Sequence, residues 1–152
     1  MKQTNALLIL ILIAGSFLML SCKKDRRYAD TTTLPLLENK NWKLTAKLDI
    51  FYNQDIYPDI DTCKRDDLYT FNEDGSLTVN NNHTKCNTTE SQVFGGNWTY
   101  NSDIKELMYY SEHDSQNVSL TISSISDNTL VGFQHITIGS IRYTFAWTFS
   151  KQ

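Results

Sequence analysis

Ile141-Arg142-Tyr143-Thr144-Phe145-Ala146-Trp147-Thr148-Phe149-Ser150 alternates without a fault. Ile141, Tyr143, Phe145, Trp147 and Phe149 share one parity; Arg142, Thr144, Ala146, Thr148 and Ser150 share the other. Successive side chains of a strand point to opposite faces, so this segment predicts a β-strand with one buried and one wet face. Trp147, the fourth of these five apolar positions, is expected to point inward and to be largely buried.

The same period of two recurs upstream. Trp42, Leu44, Ala46, Leu48 and Ile50 alternate with Lys43, Thr45, Lys47 and Asp49, which predicts a strand whose wet face carries the two lysines. Leu68-Tyr69-Thr70-Phe71 and Leu77-Thr78-Val79 flank Asn72-Glu73-Asp74-Gly75-Ser76. Asp-Gly in such a gap marks a hairpin, because Gly supplies the positive φ that the turn requires. Gly96 to Tyr100, Leu107 to Tyr110, Val118 to Ile122 and Leu130 to Ile138 complete the set. No segment after the leader shows a helical stripe beyond Leu34-Pro35-Leu36-Leu37, where Pro35 suits a first turn that plugs an apolar opening. About eight short strands at close spacing indicate an all-β barrel or sandwich.

The N-terminus has a different character. Lys2 is followed by an apolar run from Ala6 to Leu20, interrupted by Gly15-Ser16, and then by Met19-Leu20-Ser21-Cys22 and the polar Lys23-Lys24-Asp25-Arg26-Arg27. The run is shorter than the roughly 17 to 25 residues that cross a bilayer. The order is that of a secretory signal. A cysteine directly after the cut resembles the lipobox of bacterial lipoproteins, although Met19 stands where Leu is usual. A cleaved signal with an incidental cysteine and an uncleaved anchor are the alternatives. The lipoprotein resemblance implies a signal peptide over 1–21, a lipidated tether over 22–33 with diacylglycerol and an acyl (palmitate-type) chain at Cys22, and one domain over 34–152. It places the protein in the bacterial cell envelope, at the outer membrane, facing either the periplasm or the surface.

Without the leader about 130 residues remain, enough for one domain that buries around two thirds of its unfolded surface. The chain carries 14 basic and 17 acidic residues with no basic stripe, which argues against nucleic acid as a partner. With Cys22 given to lipid, Cys63 and Cys86 form an even pair in an oxidising compartment, and a disulfide between them is expected. It would join the two long irregular stretches, Asn53 to Asp66 and Asn80 to Gln92.

The order of elements matches a known pattern: Trp42-Lys43-Leu44, Cys63, Tyr69-Thr70-Phe71-Asn72-Glu73-Asp74-Gly75-Ser76-Leu77, Cys86, Gly95-Gly96-Asn97-Trp98-Thr99-Tyr100, Leu120-Thr121-Ile122, Asn128-Thr129-Leu130-Val131 and an aromatic closing strand. From Leu36 onward the chain resembles the lipocalin-like domain of small bacterial lipoproteins. The resemblance implies a small antiparallel up-and-down β-barrel of about eight strands. One departure is clear: the Gly-x-Trp that starts a lipocalin has Lys40 in the glycine position before Trp42, and the Gly-x-Trp present here, Gly96-Asn97-Trp98, lies in mid-chain.

Signs of chemistry are sparse. His83 and His113 fall in polar loops and His135 in a strand, none with metal-ligand spacing, and all three are expected to be solvated. Asp55, Asp59, Asp61, Asp66 and Asp67 form an acidic loop without the glycine and terminal glutamate of a calcium loop, so a solvated loop is expected there too. No nucleophile elbow or phosphate-binding glycine loop is present. The expectation is a non-enzyme without cofactor or metal. Eight Tyr, seven Phe and three Trp are the remaining clue. Tyr69, Phe71, Trp98, Tyr100, Tyr143, Phe145, Trp147 and Phe149 either fill the barrel or line a cavity for an apolar ligand. The leading expectation for function is non-catalytic binding of a small hydrophobic ligand. The alternative is an envelope interaction or accessory module with a solid core.

Overall fold

A computed structural model describes residues 32–152. The leader, Cys22 and the tether up to residue 31 lie outside the described residues. One helical turn, α1 (Leu34–Leu37), precedes nine strands: β1 (Asn41–Asp49), β2 (Gln54–Asp55), β3 (Leu68–Phe71), β4 (Ser76–Asn80), β5 (Val93–Asn101), β6 (Glu106–Ser111), β7 (Gln116–Ile125), β8 (Thr129–Ile138) and β9 (Ile141–Lys151). From β3 to β9 each strand pairs antiparallel with the next. β1 takes β3 on one side and β9 on the other, and so closes a ring of eight strands. β2 is a two-residue addition at the end of β1, opposite Leu48 and Asp49. This is the all-β barrel expected from the sequence.

The turn expected at Asp74-Gly75 is present. Gly75 has φ +85° and its N–H donates to the Asn72 carbonyl at 2.9 Å. Gly96 answers a packing need instead. A side chain there would collide with the Tyr110 carbonyl oxygen of the neighbouring strand. The mid-chain Gly-x-Trp therefore lets β5 and β6 close up, while Trp98 points into the core.

β1 departs from its expected pattern. The pairing with β9 steps from Leu44–Phe149 to Ala46–Thr148, so Thr45 is an extra residue without a partner. Such a bulge shifts the parity of everything after it. Trp42 and Leu44 point inward as expected, but Ala46 and Leu48 turn out, and Lys47 and Asp49 turn in opposite Trp147 and Phe145. Ile50 lies past the strand and is exposed. The expected wet face of β1 is thus split by one residue, and a lysine enters the barrel.

The core lies toward the end where the chain enters. Trp42, Phe71, Leu77, Val79, Leu107, Leu120, Leu130 and Phe149 are almost fully buried there, with Leu37 of α1 inserted as a plug. Trp42 Nε1 donates to the Leu37 carbonyl at 2.9 Å, so the plug is fastened from within the barrel. Trp98 Nε1 likewise donates to the Asn72 carbonyl at 2.9 Å and secures the β3–β4 turn.

The opposite end, the mouth, carries the long loops. Between β2 and β3 the chain makes two short 3₁₀ turns, Tyr57–Asp59 and Thr62–Lys64, and packs Tyr57 and Ile60 against the core cluster. Arg65 holds this segment together by donating to the carbonyls of Ile60 at 2.8 Å and Pro58 at 2.6 Å. Lys64 reaches across to Asp114 on the β6–β7 turn at 2.7 Å. Cys63 and Cys86 are bonded, with Cα atoms 5.0 Å apart, and join this segment to the β4–β5 loop. The expected disulfide is therefore present, and it braces a flap over the mouth.

Candidate functional site

Inward-facing columns of the barrel change character near the mouth. Phe71 and Tyr69 of β3 lead to Asp67, Leu77 and Val79 of β4 lead to Asn81, and Leu107, Tyr109 and Ser111 of β6 lead to His113. Each step of two keeps the side chain on the same face, so the apolar column ends in a polar residue. The Asn81 amide nitrogen is satisfied by its loop, donating to Glu90 Oε1 at 2.9 Å and to the Ser91 carbonyl at 3.1 Å, while its Oδ1 is buried without a hydrogen-bond partner.

His113 and Asp67 are not solvated, contrary to expectation. Their side chains are 4% and 0% exposed, and His113 Nε2 lies 3.2 Å from Asp67 Oδ2. The imidazole also lies against the Phe94 ring, with centroids 4.4 Å apart. The flanking residues decide this burial: Asp67 directly precedes β3, and His113 follows Ser111, whose Oγ accepts the His113 N–H at 3.2 Å. His83 is exposed as expected, and its N–H donates to Asp66 at 3.0 Å. His135 lies outside, with Nδ1 3.0 Å from Thr144 Oγ1. The acidic loop is dispersed: Asp55 accepts the Tyr57 N–H, Asp66 accepts that of His83, and Asp67 enters the barrel.

Burial pushes the Asp67 carboxyl up to about 7, with Asp114 and Asp66 adding to the rise and Lys64 opposing it. Holding the proton spares the site a buried anion. The folded state then keeps a proton that the unfolded chain, at its ordinary 3.8, releases. The contribution of this group to stability is full below about pH 4 and is lost as pH rises toward 7. Asp67→Asn is expected to flatten this fall. Urea denaturation of both proteins between pH 4 and 8 checks it, and an unchanged slope in the variant would assign the proton elsewhere.

Asp114 ties the polar tier to the flap. It accepts from Lys64 Nζ at 2.7 Å and lies near the Tyr69 hydroxyl, whose ionisation is pushed well above the usual range by burial first, then by Tyr109 and the carboxylates. The same bond raises Lys64. Lys47 also turns in, two residues before Asp49. Its ammonium lies over the Trp147 ring at 4.1 Å and 5.8 Å from the Phe145 centroid. Burial lowers its pKa, and the field of Asp114 partly restores it.

The aromatic residues singled out from the sequence divide by depth. Phe71 and Trp98 pack edge to face at 5.6 Å, Phe71 meets Tyr109 at 5.8 Å, and Tyr69 meets Phe149 at 6.1 Å. Tyr100 is half-buried against the same cluster. Toward the mouth, Trp147 stacks on Phe149 at 6.1 Å and is half-buried rather than largely buried. Phe145 and Tyr143 continue its face and are also half-buried. Tyr143 joins Phe51 and Tyr52 on the rim, where those two rings are 60% and 62% exposed. A shallow depression of about 300 Å³ lies elsewhere, around Met108 and Tyr110 on the outer face of β5, β6 and β7.

The lysine, the buried Asp67–His113 contact and Asp114 were not anticipated. Parity extended two residues beyond β3 and β6 would have found Asp67 and His113. Nothing in the sequence marks the bulge that turns Lys47 inward.

A family model described as a lipocalin-like domain matches residues 39–132, from the entry to β1 through the first part of β8. Comparison with curated proteins finds no match.

Proposed function

Because the chain belongs to the lipocalin-like domain family, we propose that it is a lipid-anchored protein of the bacterial envelope whose barrel holds a small, largely apolar ligand without catalysis. The observation that carries this reading is the division of the aromatic face of β9. Phe149 is sealed in the core, whereas Trp147, Phe145 and Tyr143 stay half-exposed at the end with the longest loops. Exposed aromatic surface facing a barrel mouth is suited to an apolar ligand, which removes it from water at about 25 cal/mol per Å². Native mass spectrometry of the protein purified from its own host tests this. A co-purifying small molecule supports the reading, and a bare mass together with no uptake of a fluorescent fatty acid rejects it.

The anchoring half of the proposal rests on the sequence around Cys22. Two or more acyl chains give stable attachment, at about 0.8 kcal/mol per buried methylene. Cys22→Ser is expected to abolish lipid labelling and to move the protein out of the membrane fraction. A variant that remains membrane-bound and uncleaved would make the leader a spanning anchor.

A second reading has an observation of its own. Phe51, Tyr52, Ile138 and Ile141 are exposed by 45% or more on the rim, enough apolar surface to suit a docking face for an envelope partner. Loss of partner capture on Phe51→Ser/Tyr52→Ser, with ligand uptake unchanged, would favour it.

A further inference from the structure

We infer that Lys47, turned into the barrel by the Thr45 bulge and laid over Trp147, anchors the carboxylate head of an amphiphilic ligand whose chain runs along Phe145 and Tyr143. This rests on the ligand-holding reading above and narrows it from apolar molecules to those with a carboxylate at one end.

Beside the Trp147 ring the site offers two donors that lack an acceptor. Lysine carries three N–H donors, and the indole Nε1 carries one. Among the described residues, the Lys47 ammonium forms no ion pair, and the two carboxylates in its surroundings are committed elsewhere. Asp114 is taken up by Lys64 at 2.7 Å. Asp49 Oδ1 accepts the N–H groups of Phe51 at 2.9 Å and Tyr52 at 3.2 Å. Trp147 Nε1 is buried and has no hydrogen-bond partner. An ammonium half removed from water with only ring faces beside it, next to an unsatisfied indole N–H, lacks an anion with lone pairs. A carboxylate supplies both, through charge-assisted hydrogen bonds of the stronger kind.

The surroundings shape the rest of the ligand. Phe145 lies between Gln134 and Asp49, and Tyr143 lies opposite Ile136, so beyond the head the wall carries rings and Ile136 with one amide and one already hydrogen-bonded carboxylate, and leads outward to the mouth. Burial depresses the lysine pKa, a cost that a bound anion would reverse. A neutral amphiphile gains nothing from the ammonium's charge, and a cationic one is repelled.

The test uses the full-length protein in lipid nanodiscs, with empty nanodiscs as blank. It is titrated with 8-bromooctanoate and with 8-bromooctan-1-ol. Bromine quenches tryptophan fluorescence at close range, so the signal reports occupancy of the barrel, which holds Trp42, Trp98 and Trp147, and the head-group preference is read from acid against alcohol. Wild type is expected to bind the acid at least tenfold more tightly than the alcohol. Lys47→Met is expected to remove the preference and Lys47→Arg to retain it. Equal binding of acid and alcohol by wild type, or a preference that survives in Lys47→Met, overturns the inference and leaves the ligand-holding reading standing. Absence of quenching by both probes in wild type overturns the two together. The comparison within wild type needs no variant, so it holds even if Lys47→Met folds poorly.

Discussion

Trp42→Ala is expected to lower folding stability by about 3–5 kcal/mol, the range for truncating a large, fully buried aromatic. Trp42 is 0% exposed and sits where β1 meets both β3 and β9. Two losses combine at this site. The indole's packing against the core disappears, and the Leu37 carbonyl loses the donor that fastens α1 into the end of the barrel. A buried carbonyl left without a partner adds a desolvation penalty of about 1–3 kcal/mol, part of which water entering the cavity can relieve. Trp42→Phe separates the terms, since it keeps most of the apolar volume and removes the N–H. Urea denaturation of the three proteins checks the expectation. A loss below about 1 kcal/mol for Trp42→Ala would mean that the plug is held by Leu37 alone.

Removing the Cys63–Cys86 bridge with paired alanines is expected to cost about 3 kcal/mol in the chain-entropy account, equivalent to a drop of roughly 10 °C in Tm. The bridge spans 23 residues and joins the flap to the β4–β5 loop. In the unfolded chain the closed loop is a lost freedom; in the folded protein the same bond keeps Tyr57 and Ile60 pressed on the core. On the proposed ligand-holding function, the second role predicts that the bridge-free protein also binds ligand less selectively, because the flap is then held by Lys64–Asp114 and the Arg65 carbonyl contacts without covalent support. Calorimetry of the variant beside oxidised wild type measures the first effect. A shift under about 3 °C would assign the order of the two loops to their own hydrogen bonds.

The fold was legible because antiparallel strands with one buried face write their period into the sequence. β9 is the plainest case, and the Asp74-Gly75 turn and the Leu34 to Leu37 plug were equally readable from φ preferences and proline placement. The site was much less legible, for two physical reasons. The first is that a bulge inserts one residue at no compositional cost: Thr45 looks like any other polar strand residue, yet it exchanges Leu48 for Lys47 on the inner face. The second is that loop residues adjoining a strand inherit its parity. Asp67 and His113 look like solvated loop residues by type, but Tyr69 and Ser111 fix the direction in which their side chains point. The disulfide stood between these extremes, since the expected compartment and the even number left after Cys22 suggested the pairing, while only the folded chain shows that it braces the mouth.

The ring is closed by a contact of a different kind from all the others. From β3 to β9 every hydrogen-bonded pair is a hairpin of consecutive strands, but β1 meets β9 across more than a hundred residues, as between Thr45 and Thr148. Loop-closure entropy is charged in full at that seam and only in small amounts elsewhere. The chain can therefore lay down a curled ribbon of hairpins early and remain an open trough until its two ends meet. Gln152 N–H donates to the Asn41 carbonyl at 3.0 Å, so the ends that must find each other finish side by side. A newly made chain would carry a live sheet edge for as long as that search lasts.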